Sequence, residues 1–362
     1  MGKKVVVGMS GGVDSSVAAY LLKERGYEVI GVTMQIWQSE TQCEVEKKGG
    51  CCGISAVEDA RRVAEVLDIP YYVMNFRAEF KRDVIDYFVR EYRLGRTPNP
   101  CIACNRYVKW EALLTRSLML GADYIATGHY ARVLTLENGR YALASSKTAA
   151  KDQSYALYNL TQRQLAHTLM PIGEYEKPEV RAIAAAAGLP VASKPDSQEI
   201  CFVPDGDYAH FIDESTGERA LPGNFVRADG TVLGEHKGLT HYTVGQRKGL
   251  GIAFGEPMYV IELRPEQNEV VLGTGDEVYA EELLAGDVNW MAVAPPPAGE
   301  TLCCRAKIRY NHGGADCSVT VLPDGKIRVA FPTPQRAVTP GQAVVLYTDS
   351  GAVLGGGTIE AE

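Results

Sequence analysis

The chain has 362 residues, 46% of them hydrophobic and 23% charged, with a formal net charge of −8. That length accommodates two or three domains with sizeable cores, and the composition is that of a globular rather than a disordered chain. The negative balance excludes a protein that coats nucleic acid through bulk charge while leaving a local basic face open, and no apolar run reaches the roughly 20 residues of a membrane span.

Lys4-Val5-Val6-Val7-Gly8-Met9 predicts a buried strand entered directly from the N-terminus, with no room for a signal peptide, so a cytoplasmic protein is expected. Ser10-Gly11-Gly12-Val13-Asp14-Ser15-Ser16 follows, and then Val17 to Lys23, apolar and helix-favouring, with Gly26 as C-cap. A strand, a glycine-serine turn and a helix N-terminus together make an anion site, because unpaired backbone N–H groups and the positive end of the helix dipole face the turn. The glycines let a ligand approach the backbone, and the serine hydroxyls add donors. The run lacks the Gly-Lys-Ser/Thr of a Walker-type loop and is not a Gly-x-Gly-x-x-Gly dinucleotide fingerprint. The plainer alternative is a glycine turn that is merely rich in serine.

Glu28 to Met34 predicts a second strand, Ser55-x-x-Glu58 a capping box opening a helix through Leu67, and Tyr71 to Phe76 a third strand. Amphipathic helices are expected over about 78–94 and 107–120, then a strand from Asp123 that ends in Gly128 and His129. This alternation predicts an α/β fold whose N-terminal Rossmann-like parallel sheet is covered by helices on both faces. Ligands of such sheets bind beyond the C-terminal strand ends, where Met34, Gly128 and His129 fall.

Further helices are expected over 161–169 and 178–188. From about Asp205 glycine-rich turns separate short β runs, Met258 to Leu263 and Glu269 to Leu272. Beyond Pro295-Pro296-Pro297, strand candidates over 301–308, 316–322, 326–331 and 343–347 predict a small C-terminal β-barrel. The expected divisions are 1–204 for the nucleotide domain, 205–279 for a small β-rich central domain, and 280–362 for the barrel.

Nine cysteines occur, and in a large intracellular chain they are more often catalytic, metal-binding or buried than a disulfide framework. Gly95 to Asn105 reads as a loop stiffened by Pro98 and Pro100, inside a stretch where Arg90, Arg93, Arg96, Arg106, Lys109 and Arg116 face only Glu91 and Glu111. Its Cys101-x-x-Cys104 is either half a metal site or a redox pair, and the lack of a second such pair argues against structural zinc. A further thiol, Cys201, lies in Ser193-Lys194-Pro195-Asp196-Ser197-Gln198-Glu199-Ile200-Cys201-Phe202. A free thiol is only a few per cent ionised near neutral pH, and Arg96, Arg106 or Lys194 would raise that fraction. Burial as small hydrophobes is the ordinary fate of free cysteines, and the one expected for Cys303, Cys304 and Cys317 on their predicted strands.

Motifs in chain order then carry a resemblance. Gly-Met-Ser-Gly-Gly-Val-Asp-Ser-Ser at 8–16, Thr-Pro-Asn-Pro-x-x-x-Cys-Asn at 97–105, Ala-Thr-Gly-His-Tyr at 126–130 and Lys-Asp-Gln-Ser at 151–154 come first. Lys-x-Asp-Ser-Gln-Glu-Ile-Cys-Phe at 194–202, Thr-Val-Gly-Gln-Arg-Lys-Gly-Leu-Gly at 243–251 and Pro-Gly-Gln-Ala at 340–343 follow. Across nearly the full chain the series resembles the bacterial tRNA-specific 2-thiouridylase family (MnmA), a group of PP-loop ATP pyrophosphatases.

The resemblance implies a PP-loop sheet of the adenine nucleotide alpha hydrolase type, with ATP and Mg2+ as cofactors. ATP would adenylate the C2 carbonyl oxygen of the wobble uridine, releasing pyrophosphate. Gly8, Met9, Ser10, Gly11, Gly12, Val13, Asp14 and Ser15 would hold the phosphates, and Met34 and Gly128 the nucleoside. Cys201 would carry the sulfur as a persulfide, and Cys104 would attack that persulfide or resolve the adduct, leaving a Cys104–Cys201 disulfide to be reduced. The base must leave its stack to react. Asn99, Pro100 and Cys101 match the segment that holds it, while His129, Lys151, Asp152, Gln153, Arg309, Tyr310 and Gln342 match positions that touch tRNA. The implied partners are the anticodon arm of the Lys, Glu and Gln tRNAs and a sulfur-donor protein, either a cysteine desulfurase or a sulfur-relay protein, with no membrane.

Two features depart from the pattern. Cys101 stands where the family often has an aspartate, which leaves the proton handler open. Cys43, Cys51 and Cys52 lie in an insertion-like loop. Cys101, Cys104 and Cys201 could instead serve as three thiolate ligands of an iron–sulfur cluster with one open iron for hydrosulfide. Another PP-loop ligase, or a tRNA-binding module with a vestigial loop, remains a rival.

Overall fold

The computed structural model of the chain describes residues 2–36, 54–148, 151–196, 200–252 and 255–361, so Cys43, Cys51 and Cys52 lie outside the described residues. The chain forms two compact units. One comprises Met1–Ile85, Pro100–Gly206 and Ser350–Leu354, and the other comprises Asp86–Asn99, Asp207–Asp349 and Gly355–Glu362.

The first unit is built on a five-stranded parallel sheet. Strands β1 (Lys4–Gly8), β2 (Glu28–Gln35) and β3 (Tyr71–Asn75) are joined by helices α1 (Val13–Glu24) and α2 (Ile54–Val66). Helix α3 (Arg77–Phe80) runs on into a wide turn, Lys81–Ile85, and α4 (Asp86–Arg93) belongs to the second unit. Helix α5 spans Pro100–Ala103, Cys104–Leu113 and Leu114–Met119, its middle stretch π-helical. Strand β4 (Tyr124–Ala126), the hairpin β5 (Ala131–Thr135) and β6 (Tyr141–Ser145), helix α6 (Gln162–Ala166), β7 (Thr168–Leu169) and α7 (Lys177–Ala186) complete it. The sheet order is β3-β2-β1-β4-β7, with Val5 opposite both Val29 and Tyr124. Val5 and Val7 are fully buried, as β-branched residues of a central strand covered on both faces should be. They pack with Val17, Ala18 and Leu22 of α1 and Val180 and Ala184 of α7.

The expected α/β class with its parallel sheet therefore holds. The loop expected over 95–105 does not: the helix begins at Pro100, so Cys101 and Cys104 lie on its first turns. Proline has no N–H to lose at a first helical position, and its fixed φ suits the helix, so the residue read as loop stiffener starts the element. The β5–β6 hairpin was not anticipated, although Asn138-Gly139 at its turn, with Gly139 at φ +76°, is a strong local hairpin signal.

The second unit holds helix α8 (Tyr208–Thr216), capped by the Asp207 side chain on the His210 amide and stopped by Gly217 at φ +70°. It also holds a four-stranded sheet in the order β10-β11-β8-β9, made of β8 (Gly223–Val226), β9 (Val232–His236), β10 (Tyr259–Arg264) and β11 (Glu269–Gly273). Strands β12 (Tyr279–Trp290), β13 (Thr301–Lys307), β14 (Ala315–Val321), β15 (Ile327–Arg336), β16 (Ala343–Tyr347) and β17 (Val353–Ile359) close into a barrel. Gly355-Gly356-Gly357 lies within β17, where a Cβ on Gly355 would stand 2.5 Å from the Asn289 carbonyl oxygen. No helix among the described residues is long and apolar enough to cross a membrane.

Candidate active site

The loop from Met9 to Gly12 lies between the C-terminal end of β1 and the first turn of α1. Gly12 is the N-cap, extended at φ −100° and ψ 164°, and no side chain caps the helix. Among the described residues, no N-cap side chain competes with an incoming anion for the first amides of α1. Ser15 and Ser16 hydroxyls both donate to the Gly12 carbonyl, at 3.2 and 2.8 Å, and Ser15 Oγ accepts from the Ser10 amide at 3.2 Å. These hydroxyls were expected as ligand donors, but they are spent on folding the loop, and both residues are buried. Ser10 alone of the three serines is exposed. Met9 and Val13 are core residues, and the Met9 carbonyl accepts from Thr33 Oγ1 at 2.7 Å, so any part they take in binding is through backbone.

Two glycines are dictated by close approach. Gly11 has φ +69°, and a Cβ there would stand 2.3 Å from the Ala56 carbonyl oxygen at the start of α2. Gly128, just beyond β4, packs against the turn itself: its Cβ would stand 2.5 Å from the Ser15 amide nitrogen. Gly8 is under no such constraint, its nearest neighbours lying at ordinary contact distance. Met34, near the end of β2, is half-buried.

Charged side chains from distant segments gather beside the loop. Asp14 accepts from Lys177 Nζ on both carboxylate oxygens at 2.8 Å, and from the Tyr130 hydroxyl at 2.8 Å. Lys177 also pairs with Asp196 at 2.7 Å, and Asp196 with Lys151 and Arg181, each at 3.0 Å. Burial alone would raise the Asp196 carboxyl, but hydrogen bonds from Lys177 and Lys151 and their charges hold it below the usual carboxylate range. Lys194 Nζ donates to the Gly11 carbonyl at 3.0 Å and to Asp59 at 2.7 Å.

Of the thiols, Cys101 is exposed, and Cys104 and Cys201 are half-buried. Cys201 lies in a turn closed by the Val203 amide on the Ile200 carbonyl at 2.9 Å. Phe202 packs edge-on against Phe80 with ring centroids 5.7 Å apart, and α3, which carries Phe80, lies against the Cys104–Leu113 stretch of α5. The Cys201 turn and the Cys104 helix thus share α3 as a neighbour. Among the described residues, no three His, Cys, Asp or Glu side chains come together as a metal-ion group. The Cys101, Cys104 and Cys201 ligand set is not assembled, and the described residues offer a divalent ion no cage.

Each cation expected to favour a thiolate has a further contact. Lys194 serves the loop, Arg96 pairs with Glu91 at 3.3 Å, and Arg106 lies over the Tyr107 ring at 5.1 Å. Lys109, on the helix of Cys104, donates to Asn105 Oδ1 at 2.8 Å and faces His129 Nε2 at 3.4 Å. His129 Nδ1 meets Thr127 Oγ1 at 2.7 Å, and its ring lies 5.5 Å from that of Trp110. Burial first, then the Lys109 charge, lowers the His129 pKa well below the usual imidazole range. With Lys109 donating, Nε2 is the acceptor and Nδ1–H donates to Thr127.

The remaining candidates divide between the units. Lys151 and Gln153 are tied into the first, Gln153 by accepting from the Tyr130 amide at 2.9 Å. Asp152 accepts from the amides of Ser146 and Ser154 at 3.2 Å and from the Ser154 hydroxyl at 2.8 Å, so its carboxylate shapes a turn. Pro100 is buried beneath the start of α5. In the second unit Gln342 Nε2 donates to the Thr97 carbonyl at 2.6 Å, and the Thr97 amide to the Pro340 carbonyl at 2.8 Å, placing the Thr97–Asn99 stretch beside Gln342. Arg309 donates to the Arg336 carbonyl at 2.9 Å, and Tyr310 is exposed. Tyr130, Lys177, Arg181 and Lys109 were not expected. Lys177 and Arg181 carried no sequence signal, whereas Tyr130 closes the Ala-Thr-Gly-His-Tyr motif.

Comparison with known proteins agrees with the geometry. A family model described as the tRNA methyl transferase HUP domain matches residues 3–205, its PRC-barrel domain residues 209–274, and an aminomethyltransferase beta-barrel domain residues 280–359. The chain is 68% identical over 357 residues to the tRNA-specific 2-thiouridylase MnmA of Lachnoclostridium phytofermentans, covering 99% of each chain. It is 58% identical over 358 residues to MnmA 1 of Thermoanaerobacter sp., covering 99% of this chain and 98% of that one. It is 54% identical over 359 residues to the MnmA of Clostridium perfringens, covering 99% of each.

Proposed function

The chain belongs to the tRNA-specific 2-thiouridylase (MnmA) family, and from that premise we propose that it converts the wobble uridine of tRNA to 2-thiouridine. The observation that carries the reading is a phosphate-accepting helix N-terminus in the same unit as two half-buried thiols from segments about a hundred positions apart. Methyl transfer, which two of the family descriptions mention, requires neither an activated phosphate nor a pair of thiols.

The C2 carbonyl oxygen attacks the α-phosphorus of ATP, the N3 proton leaves, and pyrophosphate departs from the amides of α1. This step makes a poor electrophile reactive, because AMP is a far better leaving group than oxide. The terminal sulfur of a Cys201 persulfide then attacks C2, and AMP leaves. Cys104 as thiolate attacks the Cys201 sulfur, breaking the S–S bond, and the electron pair stays with the sulfur on C2. N3 regains a proton, and the product is 2-thiouridine with a Cys104–Cys201 disulfide, which a dithiol reductant returns to two thiols by two electrons and two protons. Asn99, Pro100 and Cys101 receive the flipped base. His129, Lys151, Gln153, Arg309, Tyr310 and Gln342 are assigned to tRNA, and Asp152 supports them through its turn. A magnesium ion would supply charge neutralisation on the phosphates, and the described residues gather no carboxylate cage for it. A cysteine desulfurase or relay protein supplies the sulfur, and the anticodon arms of Lys, Glu and Gln tRNAs are the substrates.

Incubation with ATP, tRNA and a sulfur source, followed by mass analysis of nucleosides and assay of pyrophosphate, tests the reading. 2-Thiouridine in step with pyrophosphate is expected. Pyrophosphate without thiolation would point to another PP-loop reaction, and neither product to a binding module.

A further inference from the structure

Lys177 opens α7, where a cation opposes the helix dipole, and its side chain is only 12% exposed. An ammonium has three donors. Asp14 takes contacts at 2.8 Å on both oxygens and Asp196 takes one at 2.7 Å, so the ammonium is held between two carboxylates. The loop has no lysine of its own, and Lys177 beside it bridges two carboxylates. Its partners belong to different functional segments: Asp14 to the anion-binding turn, and Asp196 to the stretch that reaches Cys201 five positions later. Five residues span at most about 18 Å, so fixing Asp196 limits how far the thiol can lie from the loop. The same node reaches the segment assigned to tRNA, through Lys151 on Asp196 and through Tyr130, which bonds Asp14 by its hydroxyl and Gln153 by its backbone.

We propose that Lys177 is a positioning residue that keeps the pyrophosphate loop and the sulfur-carrying segment in one register. This rests on the thiolation reading above. An adenylated uridine is open to water, so it is productive only if the persulfide is already in line. Loss of the cross-link therefore separates the two half-reactions, whereas loss of a merely structural ion pair lowers both alike.

The test is the ratio of 2-thiouridine formed to pyrophosphate released, measured on the full chain with ATP, tRNA and a persulfide-loading system. For Lys177→Met the ratio is expected to fall about tenfold while pyrophosphate release stays within about threefold of the parent. Asp196→Asn should uncouple in the same way, and the double variant should add nothing further, because the two act through one bridge. Lys177→Arg, which keeps the charge, should recover part of the ratio. An unchanged ratio in both single variants, or equal loss of both products, overturns the proposal. If Lys177→Met does not fold by circular dichroism, Asp196→Asn alone decides by the same criterion. A parent protein that releases pyrophosphate but forms no 2-thiouridine would instead sink the thiolation reading itself.

Discussion

Gly128 and Ser15 are packed backbone to backbone: a methyl group on Gly128 would come within 2.5 Å of the Ser15 amide nitrogen and 2.9 Å of its Cα. Real Cβ atoms do not tolerate such approaches to backbone, so Gly128→Ala must push α1 away from β4. Overpacking of this kind costs on the order of 1–3 kcal/mol. The variant should melt several degrees lower and bind ATP at least about tenfold more weakly, because the amides that form the anion site are the ones displaced. Calorimetric melting and titration with a non-hydrolysable ATP analogue check both.

Replacement of either thiol should abolish product without unfolding the protein. Cys104→Ser and Cys201→Ser should each lower 2-thiouridine formation by roughly two orders of magnitude or more. Cys201→Ser alone should lose the added sulfur atom in intact-protein mass spectra after loading. Persulfide persisting on Cys201→Ser would move the sulfur-carrying role elsewhere.

The pH dependence of stability should carry the signature of His129. Its pKa in the folded protein lies below the unfolded value near 6.5, by burial and then by Lys109. The neutral ring therefore contributes stability that is present above about pH 6.5 and lost as pH falls toward the folded pKa. His236 and His312 are also lowered, chiefly by burial, and add with the same sign. Lys109→Met removes a like charge, so the His129 resonance should titrate at higher pH than in the parent while staying depressed by burial. An NMR titration of the imidazole signals reads this directly.

The barrel cysteines should differ in reactivity despite their proximity in sequence. Cys303 is exposed, whereas Cys304 and Cys317 face each other across β13 and β14 with sulfurs 3.6 Å apart and are buried. The contact with the neighbouring Cys304 sulfur, and then burial, push the Cys317 thiol up. Iodoacetamide at neutral pH should alkylate Cys303 at least about tenfold faster than either of the other two. Peptide mapping over time checks the order.

Local signals carried much of this fold. The valine run of β1, the glycine-serine turn and the apolar start of α1 are adjacent in the chain, and each obeys a short-range rule, so their order alone implied an anion site on a parallel sheet. The barrel strands β13 to β16 were legible for the same reason, while β17 was obscured by its three glycines, which are explained only by the backbone they press against. The Pro100 start of α5 was masked by a second proline nearby, although proline at a first helical position is itself a local rule.

Chain order and residue type thus determined the fold class, the phosphate-binding turn and which cysteines stand in polar segments. Folding decided which side chains serve them. Lys177 reaches Asp14 from 163 positions away, Lys194 reaches Gly11 from 183, and Gly128 is required only because β4 ends against α1. The difference is physical: hydrogen-bond periodicity, capping and turn preference act within a few residues, whereas charge pairing and close approach act through space and leave no mark on sequence spacing.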